Sequence, residues 1–369
     1  MKQLDDMIGE RKADHIEVCL KEDVQSRRVT TGFEDVSLVH KALPEIEKKK
    51  IALTTTVFGY KFSAPLFVGA MTGGTEKAAK INAAIAEAVE ELHLGMGVGS
   101  QRIAIDNPKV ERSFSIVREK APTAFILANI GAPQLVSKYG VKEAEKAVEM
   151  VKANALAIHL NALQEAVQPE GDTNYSNLLQ KICRLAQELD VPVIVKETGA
   201  GIAAEEATML EATGVAGIDV AGAGGTSWAA VEHYRAKARR NEFSQRLGET
   251  FWDWGIPTAA SLVETVKSVN LPVIASGGIR NGVDAAKALA LGASLASATY
   301  PFLEPATKGS EEVKKALSHL VEEVRNTMFL VGANSVRKLQ EVPVVLTGKT
   351  AERLKLRGFQ PESYARRKA

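Results

Sequence analysis

From residue 65 onward the chain repeats one unit, a short apolar run of strand length followed by a stretch whose apolar residues recur at helical spacing. Eight such runs are present, at 65–69, 96–99, 124–129, 155–160, 192–196, 217–220, 272–276 and 295–299. Helical patterns lie between them, among them 76–92, 141–152, 175–189, 205–213 and 283–291. Strands that are apolar on both faces belong to parallel sheets, where crossover helices cover them. Eight units predict an α/β fold of the (β/α)8 TIM-barrel type. A doubly wound sheet is the weaker alternative, because no GxGxxG follows the first run.

The repeat divides the chain into three parts. Residues 1–64 precede it and are expected to form an extension or cap: Arg11, Lys12, Asp14, His15 and Glu17 crowd one predicted helix, and 53–57 with 61–63 reads as a hairpin turned through Gly59 and Tyr60. Residues 65–308 hold the barrel. Residues 309–369 offer one amphipathic helix and then a basic segment, expected to pack outside the barrel or on a partner subunit. One connection, 222–270, is too long for a single crossover helix. It carries GAGGTSW, YRAKARR and FWDWGIPT, and is expected to fold over the barrel mouth as a mobile cover.

Charge narrows the partners. Lys plus Arg is 46 and Asp plus Glu 45, so no overall field attracts nucleic acid or an anionic membrane, and an anionic ligand needs a local site. Cys19 and Cys183 stand far apart outside any CxxC spacing, which implies neither a zinc site nor a disulfide framework. The start, MKQLDDMIGERKADH, lacks the apolar core of a secretory signal, and no apolar run reaches membrane-span length. A cytoplasmic protein without membrane insertion is expected.

In a parallel barrel the chemistry sits where the strands end. The richest end is in ALAIHLNALQEAVQPEGD, where His159, Asn161, Gln164 and Glu165 follow an apolar run. Other runs end in Ala70-Met71-Thr72, Ser100-Gln101-Arg102, Asn129, Lys196-Glu197, Thr226, Ser276 to Arg280 and Thr299-Tyr300. Each taken alone reads as a turn or helix cap; their recurrence at the strand ends points to a site. SGGIRNG follows the seventh run and opens a helix, so its small residues let backbone N–H groups close on a phosphate while the helix N-terminus favours the charge.

Lys196 either makes a structural ion pair with Glu197 or another carboxylate, or faces an electron-rich ring and stabilises negative charge there. With Thr72, Ser100, Asn129 and Thr226 as ring-lining groups, the pattern suggests flavin mononucleotide, its phosphate after runs seven and eight. Glu165 is either a solvated side chain or the single carboxylate needed by a Mg²⁺ that keeps its waters and is shared with substrate phosphates.

RKADH, AMTGG, MGVGSQR, ANIGAPQLV, IHLNALQEAVQPEGD, VPVIVKETG, GAGGTSW, DWGIPTAAS and SGGIRNGVDAAKALALGAS together resemble type 2 isopentenyl-diphosphate isomerases, particularly archaeal ones, nearly end to end. The resemblance implies a barrel that interconverts isopentenyl and dimethylallyl diphosphate with reduced FMN and Mg²⁺, without net oxidation. Arg11, Lys12, His15, Ser100, Gln101, Arg102 and Asn161 would hold or flank the substrate. His159 and Gln164 would contact it and, with Lys196, serve catalysis, while Glu165 would hold Mg²⁺. FMN would touch Ala70, Met71, Thr72, Ser100, Asn129, Lys196, Thr226, Gly278, Ile279, Arg280, Thr299 and Tyr300. Ala221 and Thr299 depart from the family pattern, which has a serine and a smaller residue there.

Transposing a double bond requires a proton at one carbon and loss of one from another, and no side-chain acid-base pair at the strand ends is suited to an alkene. The resemblance implies that reduced FMN handles the protons. NADPH or another reductant would reduce it, although no dinucleotide fingerprint is present, and relatives form homotetramers or homo-octamers. The rival is an FMN-dependent oxidoreductase of a small hydroxy acid or a dihydropyrimidine. A non-catalytic phosphate-binding barrel is the third reading.

Overall fold

The computed structural model of the protein describes Lys12 and residues 14–367. All eight apolar runs are strands: β1 Leu66–Val68, β2 Gly95–Gly97, β3 Phe125–Gly131, β4 Ala155–His159, β5 Val193–Lys196, β6 Gly217–Asp219, β7 Val273–Ala275 and β8 Leu295–Ala298. They pair in parallel, each with its sequence neighbour, and β8 returns to β1 to close the barrel. The closed (β/α)8 barrel replaces the doubly wound alternative. Outer helices such as Glu76–Glu91, Val141–Val151, Leu178–Glu188, Ala204–Glu211 and Gly282–Leu291 follow the helical spacing within a few residues.

Register decides which side chains meet. β3 pairs with β4 from Leu127↔Ala155 to Gly131↔His159, β4 with β5 at His159↔Lys196, and β5 with β6 at Lys196↔Asp219. His159, Lys196 and Asp219 therefore stand side by side on one rim.

The segment before the barrel covers both of its ends. At the end where the strands begin, Thr55–Val57 and Tyr60–Phe62 form a hairpin. Its turn lies at Phe58 and Gly59, one residue earlier than the expected Gly59-Tyr60, because both take positive φ and leave Tyr60 free to pair. Phe58 and Tyr60 pack on Phe62, Phe67 and Phe125 over Leu127, Ala155, Ala157, Ile194, Ile274 and Leu295. Burying each large apolar side chain contributes about 1.5–3 kcal/mol, so this plug is a core of its own. At the other end a helix over 14–21 crosses the mouth.

The long connection is three helices, Trp228–Ala238, Glu242–Thr250 and Thr258–Ser268. It is pinned: the Trp252 indole donates to the Gln25 carbonyl at 2.9 Å, and Arg235 ion-pairs with Glu170 at 2.7 Å. The start of this connection, through Thr226 and Trp228, lines the barrel mouth. The tail also holds more than one helix and a basic segment. After Ser310–Leu330 come Val336–Glu341, a strand Val344–Leu346 antiparallel to Val36–Leu38, Gly348–Leu356 and Glu362–Ala365. Its charged residues are interrupted by buried anchors, Leu339, Val344, Leu354 and Tyr364, which attach it outside the barrel. Among the described residues no helix is long and apolar enough to cross a membrane.

Candidate active site

The strand ends and the helix over 14–21 enclose one large cavity of about 1660 Å³, counting the space open to solvent at its mouth. His159, the last residue of β4, places Nδ1 2.8 Å from Asn129 Oδ1. Asn129 Nδ2 donates to the Val98 carbonyl at 3.0 Å, which leaves Oδ1 as the acceptor. His159 Nδ1 therefore carries its proton.

Gln101 lies behind this wall. Its side chain is fully buried, with Oε1 accepting from Asn129 N at 2.8 Å and Nε2 donating to the Ala147 carbonyl at 2.7 Å. The expectation that it holds or flanks substrate is corrected: as the residue preceding the helix Arg102–Asp106 it turns inward, while Ser100 and Arg102 on either side line the cavity. It holds Asn129, which holds His159.

Beyond β4 the chain turns through Asn161 into the helix Ala162–Val167. Asn161 Nδ2 donates to Glu165 Oε1 at 2.8 Å and to Gln164 Oε1 at 3.3 Å. Glu165 Oε2 accepts from the Gln168 side chain and from Asp172 N. Glu165 is thus 8% exposed, oriented by neutral donors and on the cavity wall, rather than a solvated side chain. No group of three or more His, Cys, Asp or Glu that could cage a metal occurs among the described residues. A Mg²⁺ here fits only as an ion held by one carboxylate and sharing substrate oxygens, and the neutral surroundings of Glu165 suit that use.

Gln164 Nε2 donates to Glu232 Oε1 at 3.1 Å, and His15 Nε2 lies 2.9 Å from the same oxygen. Glu232 sits fully buried on the helix Trp228–Ala238, with Arg235 on its other oxygen. Burial works to raise its pKa. The hydrogen bond and charge of His15, with Arg235 and Gln164, overcome this and lower it to about 2. Sequence reading missed Glu232, since an acid three residues before an arginine on a helix looks like any solvated ion pair. Lys12, whose Nζ donates to the Ser100 carbonyl, and His15 both line the cavity. Arg11 lies outside the described residues.

Lys196, ending β5, donates to the Glu197 carbonyl at 2.6 Å. The Glu197 carboxylate is not its ion-pair partner. Oε2 of that group accepts from the backbone N–H groups of Thr198, Gly199, Ala200 and Gly201. The Lys196 charge acts on Glu197 and also on Asp219 of β6, where burial raises the pKa while the Lys196 charge and the Ser276 hydroxyl oppose that rise.

The residues after β7 and β8 form a cup. Gly278 has φ +70, and a Cβ there would stand 2.4 Å from Thr31 Cγ2, so only glycine fits under the segment that passes over it. The N-terminus of Gly282–Leu291, expected to favour a phosphate, is already satisfied. Asn281 caps Asp284 N, and Gly282 N donates to Glu323. The helix Tyr300–Lys308, by contrast, opens at the cavity without a side-chain cap. Arg280 makes no ion pair with a carboxylate among the described residues; its Nη2 donates to Gln25 Oε1 at 2.7 Å and Thr226 Oγ1 at 3.3 Å, and its guanidinium lies 4.8 Å from the Tyr300 ring centre. Ser297 Oγ is buried at the cavity wall with no partner. A cation without an anion and an orphaned hydroxyl fit a phosphorylated ligand that brings its own acceptors.

Of the residues that the resemblance assigns to substrate, flavin or metal and that the structure describes, all but Gln101 line this cavity, including Ala70, Met71, Thr72, Ile279 and Thr299. Ala221 also lines it, with φ +36.

Comparison with known proteins agrees with this geometry. The family model of FMN-dependent dehydrogenases matches residues 147–345. Isopentenyl-diphosphate delta-isomerase of Methanosarcina barkeri is 52% identical over 357 residues, covering 97% of each chain. The same-named protein of Methanothermobacter thermautotrophicus is 50% identical over 361 residues, 98% of this chain and 100% of that one. A solved flavocytochrome b2 variant with sulfite bound superposes with a TM-score of 0.66 at 19% identity, over 92% of this chain and 84% of its own, a likeness of fold alone. With about half its residues shared along nearly the full length of such relatives, the chain belongs to the isopentenyl-diphosphate delta-isomerase family.

Proposed function

We propose that the protein interconverts isopentenyl diphosphate and dimethylallyl diphosphate by a 1,3 proton shift, with reduced FMN in the barrel mouth and Mg²⁺ on the substrate diphosphate. One observation supports this reading: two groups of anion-binding residues line the cavity, the second with a carboxylate beside it. The cup of Gly278, Ile279, Arg280, Thr299 and Tyr300 is one; Lys12, Arg102 and Ser100, with Glu165 for the metal, make the other. A hydroxy-acid oxidoreductase needs a place for a single carboxylate beside its cofactor, and Glu165 with Gln164 has no task in it.

Ala70, Met71, Thr72, Ser100, Asn129 and Thr226 would line the flavin ring, and Lys196, held by the Glu197 carbonyl, would place a positive charge against it. Reduced FMN, when bound, would supply the acid and base for the two proton transfers. Lys12, Arg102 and Ser100, with Arg11, would fix the diphosphate. Asn161, His159 and His15 would orient the substrate, and Gln164 would stand beside the allylic carbons, its amide fixed by Glu232. Binding energy from the diphosphate then aligns a small apolar tail that offers few contacts of its own.

The same reading assigns residues 65–308 as the FMN-binding barrel, 1–64 as a cap that contributes basic substrate residues, and 309–369 as a C-terminal helical extension. It places the protein in the cytoplasm as a homotetramer or homo-octamer, in isoprenoid synthesis, with NADPH or another reductant reducing the flavin. Isomerisation in deuterated solvent tests it. With FMN reduced by dithionite and with Mg²⁺ present, solvent deuterium should enter the product and no reductant should be consumed in proportion to turnover. Equal turnover with oxidised or removed flavin would sink the proposal.

A further inference from the structure

Gln25 lies outside the barrel, on the segment that runs from the helix over 14–21 across the mouth, yet its side chain reaches the cup. We infer that Gln25 is a positioning residue for the cofactor phosphate, a neutral clasp that holds Arg280 in the cup where a phosphate monoester would meet it. The inference rests on the reading of this cup as the FMN phosphate site.

The backbone around Gln25 is fixed from both sides. Ser26 N donates to the Gly225 carbonyl and Ser227 N to the Val24 carbonyl, each at 2.8 Å. The Gln25 carbonyl accepts the Trp252 indole N–H at 2.9 Å. Asp253 Oδ1 gathers the next amides, Arg27 N at 2.7 Å and Arg28 N at 3.1 Å. A side chain on so tethered a strap is delivered to one place.

At that place Gln25 Oε1 accepts from Arg280 Nη2 at 2.7 Å. An oxygen facing a guanidinium settles which arm of the amide is which, so the other arm is the donor. That donor, Nε2, is buried without a partner, and Gln25 stands behind the cavity wall rather than in it, so its hold on the ligand runs through Arg280. Thr226 Oγ1 also accepts from Arg280, at 3.3 Å, which leaves its own proton free to be donated. Two donors thus face the cavity together, the Thr226 hydroxyl and the Arg280 guanidinium, with Gln25 behind them. Among the described residues no carboxylate pairs with Arg280. A carboxylate at position 25 would neutralise Arg280 and repel a phosphate, whereas a carboxamide orients the cation and leaves its charge uncompensated.

The test is a comparison of FMN with riboflavin, which differ only in the phosphate, by fluorescence titration of the full-length protein. Wild type should bind FMN more tightly than riboflavin. Gln25→Met, which keeps the length of the side chain and removes its polar arms, should weaken FMN binding about ten- to a hundredfold, the worth of a hydrogen bond to a charged group. Its riboflavin affinity should stay within about twofold of wild type on the same scale. Gln25→Glu should weaken FMN at least as much, again sparing riboflavin. Unchanged FMN affinity in both variants, or an equal loss for both flavins in both, overturns the assignment. Wild type that binds the two flavins equally, or neither, overturns the cup itself, an outcome distinct from a failure at Gln25.

Discussion

A carboxamide is neither an acid nor a base near neutral pH, so what Gln164 does depends on the group that orients it. Glu232 holds its Nε2 at 3.1 Å and stays ionised through the charges of His15 and Arg235. We expect Glu232→Gln to lower kcat by about a hundredfold through misplacement of Gln164, with FMN affinity within error of wild type. Steady-state assay beside a flavin titration separates the two, and an undiminished kcat would remove Glu232 from the account. Lys196 lends itself to a different readout. If its ammonium stabilises negative charge on a reduced ring, Lys196→Met makes the flavin harder to reduce, and the midpoint potential measured by spectroelectrochemistry shifts to more negative values. A potential that does not move would mean that the charge is spent on Asp219 and the Glu197 carbonyl alone.

The loop after β5 shows how one buried carboxylate organises an element. Glu197 draws the amides of Thr198 to Gly201 onto Oε2, and its carbonyl is then left to hold Lys196. Burial pushes the Glu197 carboxyl up to about 7 from its ordinary value near 4.5, against the pull of the loop amides and of Lys196. The folded protein therefore binds a proton there that the unfolded chain has already released. Between about pH 4.5 and 7 this group makes stability fall as pH rises, and above that window its effect is constant. Glu197→Gln should remove that slope, so the difference in melting temperature between variant and wild type should grow in favour of the variant as pH rises from 4.5 to 7. Parallel curves would argue against it. The eight strands were legible because burial on both faces leaves uninterrupted apolar runs, and the cup because glycine marks close backbone approach at Gly278. Three features were not. Gln101 alternates with two cavity residues, and only its place before a helix turns it inward. Asn281 reads as part of a phosphate loop until Asp284 N is seen to be its partner. Glu232 acquires meaning from His15, more than two hundred residues away.

Across the whole molecule the segments before and after the barrel meet and brace it together. Val36–Leu38 pairs with Val344–Leu346, which ties the cap to the tail. The tail in turn grips the helix Gly282–Leu291 that begins beside the phosphate cup. Glu323 takes the Gly282 amide at the start of that helix. At its far end the Tyr364 hydroxyl donates to the Leu291 carbonyl at 3.0 Å, and Arg367 Nη1 donates to the Ala290 carbonyl at 2.6 Å. A cation at a helix C-terminus is favourable, and carbonyls there lack partners within the helix. Tyr364 is among the largest fully buried side chains and does not line the cavity, so its loss should be felt in stability and not in binding. Tyr364→Ala should cost about 3–5 kcal/mol of unfolding free energy, the range for removing a buried aromatic ring. Tyr364→Phe, which gives up only the hydrogen bond to Leu291, should cost about 1 kcal/mol. Urea unfolding of the two variants, each with an FMN titration in native buffer, measures both effects. Equal losses in the two variants would show that the hydroxyl, and not the buried ring, holds the tail in place, and a weakened FMN affinity would mean that the brace reaches the cup.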